Sequence, residues 1–178
     1  MKSGLFRRSP KQDTIHALYG AIVAQARLPI FYRGYAVPDT VTGRLEMILL
    51  HVFLFFRRAR SGTDMRPLGQ DVFDRFCDDM DGNLREMGIG DLAVPKHMQR
   101  IGEAFYGRAA AYDAALDAAD DAALSQALTR NVFGQGLQQP ERAQRLTAYV
   151  KAADVQLARE EDTNLAQGRI SFPDPETF

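Results

Sequence analysis

The sequence predicts an all-α fold, a single-domain bundle of about six helices with irregular loops between them. Apolar residues recur at three- and four-residue steps in several segments, which are bounded by capping residues, prolines or glycines. No segment shows the apolar–polar alternation typical of a β-strand. With 178 residues, 46% of them hydrophobic and 25% charged, the chain can bury a core of its own. We expect a helical domain over residues 1–163 and a disordered tail over residues 164–178.

The stretch from Pro29 to Arg60 contains the most apolar run of the chain. Asp39 and Thr40 are suited to cap a helix, because their side chains can accept hydrogen bonds from its first free N–H groups. Pro38 keeps the residue before it extended, so the helix is expected to begin after this point. The run ends in a basic cluster of Arg57, Arg58 and Arg60. These positive charges suit the negative pole of the helix dipole.

This predicted helix is apolar nearly all round. One face carries Leu45, Ile48, Leu49, Val52, Phe53 and Phe56, and the other carries Met47, Leu50, Leu54 and Phe55. Such a helix is either central in a bundle or in contact with lipid. Glu46 and His51 interrupt it, and spanning a bilayer takes about 20 apolar residues. We therefore favour a buried central helix over a helix on a membrane surface.

Other helices are predicted from caps and periodicity. Ser9 and Gln12, on either side of Pro10, form a capping box at the first helix. Gly88 stands where a helix C-cap glycine would lie, and Asp120 predicts a break between two alanine-rich helices. The apolar faces are Ile15, Leu18, Tyr19, Ile22, Val23 and Ala26; Val72, Phe73, Phe76, Met80, Leu84 and Met87; Met98, Ile101, Phe105, Tyr112 and Leu116; and Leu146, Tyr149, Val150, Ala153 and Leu157.

Three longer loops are predicted between these helices: 28–37, 61–69 and 131–139. The first contains three aromatic residues, Phe31, Tyr32 and Tyr35. Aromatic residues at this density in a loop are either pinned into the core or exposed for binding. We favour the core position.

Charge is unevenly distributed along the chain although the formal net charge is only −1. Residues 1–60 contain ten basic and three acidic residues, whereas residues 64–91 contain eight acidic and three basic ones. Two oppositely charged, solvated faces explain this most simply, and a partner surface or an anionic membrane contact is the alternative. The small net charge argues against DNA binding.

The sequence offers no convincing catalytic or metal site. The acidic run at 77–88 fails as an EF-hand, because with Asp79 in loop position one, Leu84 takes the glycine position and Gly90 the glutamate position. Cys77, the single cysteine, excludes a disulfide framework. We expect no enzyme, no cofactor and no metal.

Two alternatives stay open at this point. A helical module could bind haem, a quinone or a lipid, with His51 as its best candidate contact. A weaker alternative is a metal-dependent hydrolase built on Asp78, Asp79, Asp81 and a histidine.

The first twelve residues contain arginines but no apolar core, so they do not form a secretory signal. We expect a cytoplasmic protein, with a peripheral contact at the inner membrane as the alternative.

Two segments resemble the signatures of the ubiquinol–cytochrome c chaperone family. They are YGAIVAQARLPIFYRGYAVPDTVTGRLEMILLHVFLFFRR and FDRFCDDMDGNLREMGIGDLAVPKHMQRIGEAFYGRAAAY, which together span residues 19–112. The motif residues are Pro38, Asp39, Thr40, Gly43, Arg44, His51, Asp81, Arg85, Glu86, Gly88, Gly90, Asp91, Phe105, Tyr106, Gly107 and Arg108. The resemblance is to a bacterial-type member of the family.

This resemblance implies a helical, non-enzymatic assembly factor without a cofactor. Its implied client is newly made cytochrome b of the ubiquinol–cytochrome c reductase. In mitochondrial members a small partner protein and the ribosome exit take part, and these are further expected partners beside an anionic membrane surface.

The motif residues are expected to act as structural elements. Gly43 would allow close approach of a neighbouring helix. Three arginines would pair with acids. The arginines are Arg44, Arg85 and Arg108, and the expected acids are Glu46, Asp79, Asp81, Glu86 and Asp91. Client contacts are expected at Phe31, Tyr32, Tyr35, Leu50, Leu54, Phe55, Arg57 and Arg58. The alternative is that these residues only hold the bundle together.

Overall fold

The computed structural model describes residues 9–62, 64–134 and 140–178. Eight α-helices occur in these ranges: α1 (Pro10–Ala26), α2 (Pro29–Arg33), α3 (Val41–Ser61), α4 (Arg66–Glu86), α5 (Val94–Asp117), α6 (Asp121–Leu128), α7 (Pro140–Ala158) and α8 (Asp162–Ala166). A π-helical turn covers Thr129–Phe133 and a 3₁₀ turn covers Pro175–Thr177. Six of the α-helices have eight or more residues, and no strand occurs in the described ranges. The predicted all-α fold is confirmed.

Helix α3 occupies the centre of the bundle, as predicted. It contacts α1, α4, α5 and α7. Twelve of its 21 residues are buried, and they lie on all sides of the helix. No helix of the described ranges is long and apolar enough to cross a membrane.

The start of α3 depends on Thr40 and Gly43. The Thr40 hydroxyl oxygen accepts a hydrogen bond from the Gly43 N–H at 3.1 Å, which confirms Thr40 as the cap. Asp39 does not cap but accepts a hydrogen bond from Arg44 at 2.7 Å. A Cβ atom on Gly43 would lie 1.9 Å from the carbonyl oxygen of Pro38. The expectation of a neighbouring helix at Gly43 is therefore wrong, because the close neighbour is the loop that leads into α3.

Several other helix ends follow the predicted signals. Ser9 and Gln12 form the capping box at α1 through hydrogen bonds of 3.0 and 3.3 Å. Gly88 has a φ angle of +82° and closes α4, where the Ile89 N–H donates to the Leu84 carbonyl in a Schellman motif. The Asp120 carboxylate caps α6 by accepting from the Ala123 N–H at 2.9 Å.

All three predicted loops contain helical residues. Helix α2 (Pro29–Arg33) lies inside the expected loop 28–37, because Pro29 at its first position opens a short turn of helix. Helix α4 begins at Arg66, inside the expected 61–69 linker, and residues 131–133 belong to the π-helical turn. Residues 135–139 of the third loop and the basic residues of segment 1–8 lie outside the described residues.

Residues 164–178 do not form the disordered tail that the sequence predicts. The Phe172 ring packs edge-on against the His51 ring with 5.3 Å between centroids, and the Tyr35 hydroxyl donates to the Pro175 carbonyl at 2.7 Å. Pro173 and Pro175 do not prevent this packing, and Pro175 opens the 3₁₀ turn. The apolar side chains that pack on the core are Ile170, Phe172 and Phe178.

We predict that Gly43→Ala lowers the stability of the fold. The added methyl group must displace the Pro38 carbonyl, and overpacking of this kind costs about 1–3 kcal/mol. Urea unfolding followed by circular dichroism measures the loss. Gly107→Ala is the matched control, because its new Cβ would meet no atom within 4 Å other than those of its chain neighbours and of its own helix backbone. Alanine also favours a helix over glycine by about 0.5–1 kcal/mol. Equal stability changes in the two variants would contradict the assigned role of Gly43.

Candidate functional site

An apolar groove opens where the C-terminal ends of α1 and α4 meet the beginnings of α3 and α5. Its volume is about 490 Å³, within the range of known ligand pockets. Its lining residues are Arg27, Val41, Arg44, Leu45, Ile48, Met80, Asn83, Leu84, Glu86, Met87 and Ile101. Hollows elsewhere, such as those beside Arg57 and between α6 and α7, have more charged and polar linings. The apolar groove is therefore the better candidate for an apolar partner.

The two walls of the groove are rows of apolar side chains at helical spacing. They are Val41, Leu45 and Ile48 on α3, and Met80 and Leu84 on α4 with Met87, the C-cap residue of α4. In both walls the residues stand at positions i, i+4 and i+7, so that each wall extends for two helical turns, or about 10 Å. Val41 is 73% exposed and Met87 is 62% exposed. Exposed apolar side chains gathered at one groove indicate an interaction surface.

Most of the expected client contacts lie inside the protein. Phe31, Tyr35, Leu50, Leu54 and Phe55 are at most 1% exposed. These side chains contribute to the core that surrounds α3, so they present no surface to a client in this structure. Phe31 and Tyr35 thus take the core position that is predicted for the loop aromatics.

Tyr32 differs from these five residues because it is only half-buried. Its hydroxyl donates to the Ala26 carbonyl at 2.8 Å, and the Arg44 guanidinium lies 5.1 Å from its ring centroid. Arg44 lines the apolar groove, so Tyr32 supports one edge of this groove.

Arg57 is held by acids of neighbouring helices. Its guanidinium pairs with Asp113, Asp117 and Asp154 at 2.8 Å each, which joins α3 to α5 and α7. These hydrogen bonds outweigh desolvation and raise the pKa of Arg57. A side chain with three carboxylate partners has little capacity left for a client.

Arg58 is held in a similar way at the beginning of α8. It pairs with Asp162 at 2.5 Å and donates to the Glu160 carbonyl at 2.7 Å. The basic cluster at the end of α3 therefore fastens the bundle.

His51 lies at the centre of a buried hydrogen-bond network. Its Nδ1 lies 2.7 Å from the Met47 carbonyl, which can only accept, so Nδ1 carries the proton. Nε2 then accepts from the Tyr149 hydroxyl at 2.8 Å, and that hydroxyl oxygen accepts from Gln25 at 3.1 Å. Burial lowers the pKa of His51 to about 4, against the raising effect of the Met47 hydrogen bond. With both ring nitrogens engaged, His51 does not fit the role of a haem ligand.

All three arginines of the family motifs pair with acids. Two of them, Arg85 and Arg108, pair with acids of the expected set. Arg108 makes a bidentate pair with the buried Glu46 at 2.6 and 2.5 Å. Burial raises the pKa of Glu46, and Arg108 opposes this shift. Arg85 pairs with Asp81 at 2.6 Å and also with Asp91. Arg44 pairs with Asp39, which lies outside the expected set of acids.

The acidic residues of α4 are solvated or paired. Asp79 accepts a hydrogen bond from the Tyr19 hydroxyl at 2.9 Å and lies 3.6 Å from Arg75. Within the part of the chain that the structure describes, no three His, Cys, Asp or Glu side chains are arranged to hold a metal ion. The described residues therefore give the hydrolase alternative no metal site.

Known proteins share the sequence pattern and the fold of this chain. Residues 33–172 match the family model described as Ubiquinol-cytochrome C chaperone, which is most of the chain. The chain belongs to the ubiquinol–cytochrome c chaperone family. The crystal structure of the Cbp3 homolog from Brucella abortus has the same fold, with a TM-score of 0.85, 42% sequence identity, and coverage of 94% of this chain and 92% of that one.

More distant relatives are assembly factors of animals. The ubiquinol-cytochrome c reductase complex assembly factor 1 of Mus musculus is 25% identical over 135 residues, or 75% of this chain and 45% of the mouse protein. The protein of the same name from Xenopus laevis is 24% identical over 135 residues, or 67% of its length. The chain thus matches about half of the mouse protein and two thirds of the frog protein.

The sequence does not reveal the apolar groove of this family member. Leu84 and Met87 continue the apolar period of α4 and are predicted as buried, yet Leu84 is half-buried and Met87 is exposed. The last turn of α4 faces the groove, and periodicity gives the direction of a side chain without showing what covers it. The nearby C-cap Gly88 is the signal that the helix ends here.

We predict that the stability of the protein falls as the pH is lowered from about 6.5 towards 4. In this pH window His51 binds a proton in the unfolded chain but not in the folded protein. The lowered pKa corresponds to a loss of about 3 kcal/mol in the free energy of unfolding. Urea unfolding at a series of pH values measures it. His51→Gln keeps an acceptor and a donor without titrating, so it should flatten this part of the profile; an unchanged profile in that variant would contradict the assignment.

Proposed function

We propose that this protein is an assembly chaperone that binds newly made cytochrome b and supports assembly of the ubiquinol–cytochrome c reductase. The observation that carries the proposal is the family match over residues 33–172. The mouse and frog relatives, which are named assembly factors of this reductase complex, support it further. The proposed role consists of binding and requires no catalysis.

The apolar groove supports a role in holding an apolar client. Cytochrome b is a membrane protein, so its segments expose apolar side chains until they are inserted and packed. A groove whose anchors stand at helical spacing is a recurring way to bind an apolar helix face. We propose that the groove covers such a segment before the segment is inserted. This binding would take place in the cytoplasm, at the inner membrane.

Deletion of the gene in the native host tests the function. The assembled reductase should fall strongly while the cytochrome b transcript stays unchanged, because the expected defect lies after translation. Reductase content is measured by native electrophoresis and haem absorption spectra of membranes, and a plasmid copy of the gene should restore it. A normal amount of reductase in the deletion strain would overturn the proposal.

A second experiment tests whether the groove contacts the client. We predict that Val41→Glu strongly reduces cytochrome b recovered with the tagged protein, because a carboxylate would enter an apolar contact. Val41 is the first residue of α3, where a negative charge suits the helix dipole, so stability should change by no more than about 0.5 kcal/mol.

Val155→Glu is the matched control for this experiment. Val155 is 49% exposed on α7 and does not line the groove. Recovery of cytochrome b should be unaffected by this variant, and mass spectrometry of the same samples would identify a small partner protein or ribosomal proteins. Equal losses in the two variants would contradict a contact at the groove.

A further inference from the structure

We propose that the apolar groove binds an apolar helical segment that carries a carboxylate beside Arg27. The identification of this segment as part of the client rests on the proposed function. The groove alone indicates the chemistry of the segment.

The two walls of the groove favour a helix as its occupant. Both consist of side chains at positions i, i+4 and i+7, which leave a trough two turns long between α3 and α4. A third helix fits such a trough by placing its own ridge of side chains between the walls. The described ranges contain no strand edge to which an extended segment could add. The occupant is therefore expected to contribute about two helical turns of apolar side chains.

Arg27 indicates the charge of this segment. It is the C-cap residue of α1, its side chain is exposed, and it lines the groove. No described residue forms a hydrogen bond or an ion pair with its guanidinium group, whereas Arg44 on the same groove is paired with Asp39. Arg27 is thus available for a carboxylate, the group that an arginine binds in bidentate geometry.

Glu86 limits where this carboxylate can lie. It also lines the groove and has no ion pair with a described residue. A carboxylate close to Glu86 would be repelled, so the occupant must direct its acidic side chain towards Arg27. The two charges together orient the bound helix in addition to selecting it.

Two synthetic peptides test this inference with the full-length protein. Both are helices of about 18 residues rich in leucine and alanine, long enough to be helical in water. They are identical except for one central residue, which is glutamate in the first peptide and lysine in the second. Fluorescence anisotropy measures the binding of each. The glutamate peptide should bind about fivefold more tightly at low ionic strength, and the difference should shrink as salt is added.

Charge reversal on the protein identifies the partner of the carboxylate. Arg27→Glu should reverse the preference, so that the lysine peptide binds more tightly. Arg159→Glu is the matched control, because Arg159 is also exposed and directly follows a helix, but lies away from the groove. This control should keep the preference of the native protein. Val41→Glu should weaken the binding of both peptides, which assigns them to the groove.

Several outcomes of these experiments would overturn the inference. Equal affinities for the two peptides, a preference that Arg27→Glu does not alter, or no binding of either peptide would show that the groove does not select such a helix. Light scattering that reveals a dimer, separated into monomers by Val41→Glu, would identify a second copy as the occupant. Binding to neutral phosphatidylcholine vesicles through Val41, without peptide binding, would identify a lipid. The peptide preference together with normal reductase in the deletion strain would reject the proposed function alone.

Discussion

The burial of α3 on nearly all sides is the constraint on which the rest of the structure depends. Each large apolar side chain on this helix contributes about 1.5–3 kcal/mol when it is fully removed from water. Four long helices are needed to cover it, namely α1, α4, α5 and α7. The cover is incomplete at the beginning of α3, where α1 and α4 end. The apolar groove is the part of this central helix that its neighbours leave open.

Two polar side chains interrupt the apolar surface of α3, and each has one arrangement that satisfies it. Glu46 requires the bidentate pair with Arg108 of α5, and His51 requires the hydroxyl group of Tyr149 on α7. Loss of one partner would leave a buried charge or a buried unpaired nitrogen, which is costly. These contacts therefore link α3 to α5 through Glu46 and to α7 through His51.

The local features of this fold could be predicted because they depend on residues that are close in sequence. The capping box of Ser9, the cap of Thr40 and the glycine turn at Gly88 are examples. The family could also be identified from two continuous segments. The groove could not be predicted, because Val41 and Met87 come together only when α3 and α4 have been placed against each other. The burial of Phe31 and Leu54 agrees with the predicted core position of the loop aromatics and with the predicted central helix, and not with the expected client contacts at these two residues.

The contacts of residues 164–178 have a consequence for synthesis of the chain. Phe172 covers His51, and the carbonyl of Pro175 accepts the hydrogen bond from Tyr35, a residue 140 positions earlier. Contacts of such sequence separation form late, since the whole intervening chain must be available first. While the ribosome is still making this segment, the aromatic centre of the bundle stays open. The core of this bundle is thus completed only after residues 164–178 have been translated and have packed on it.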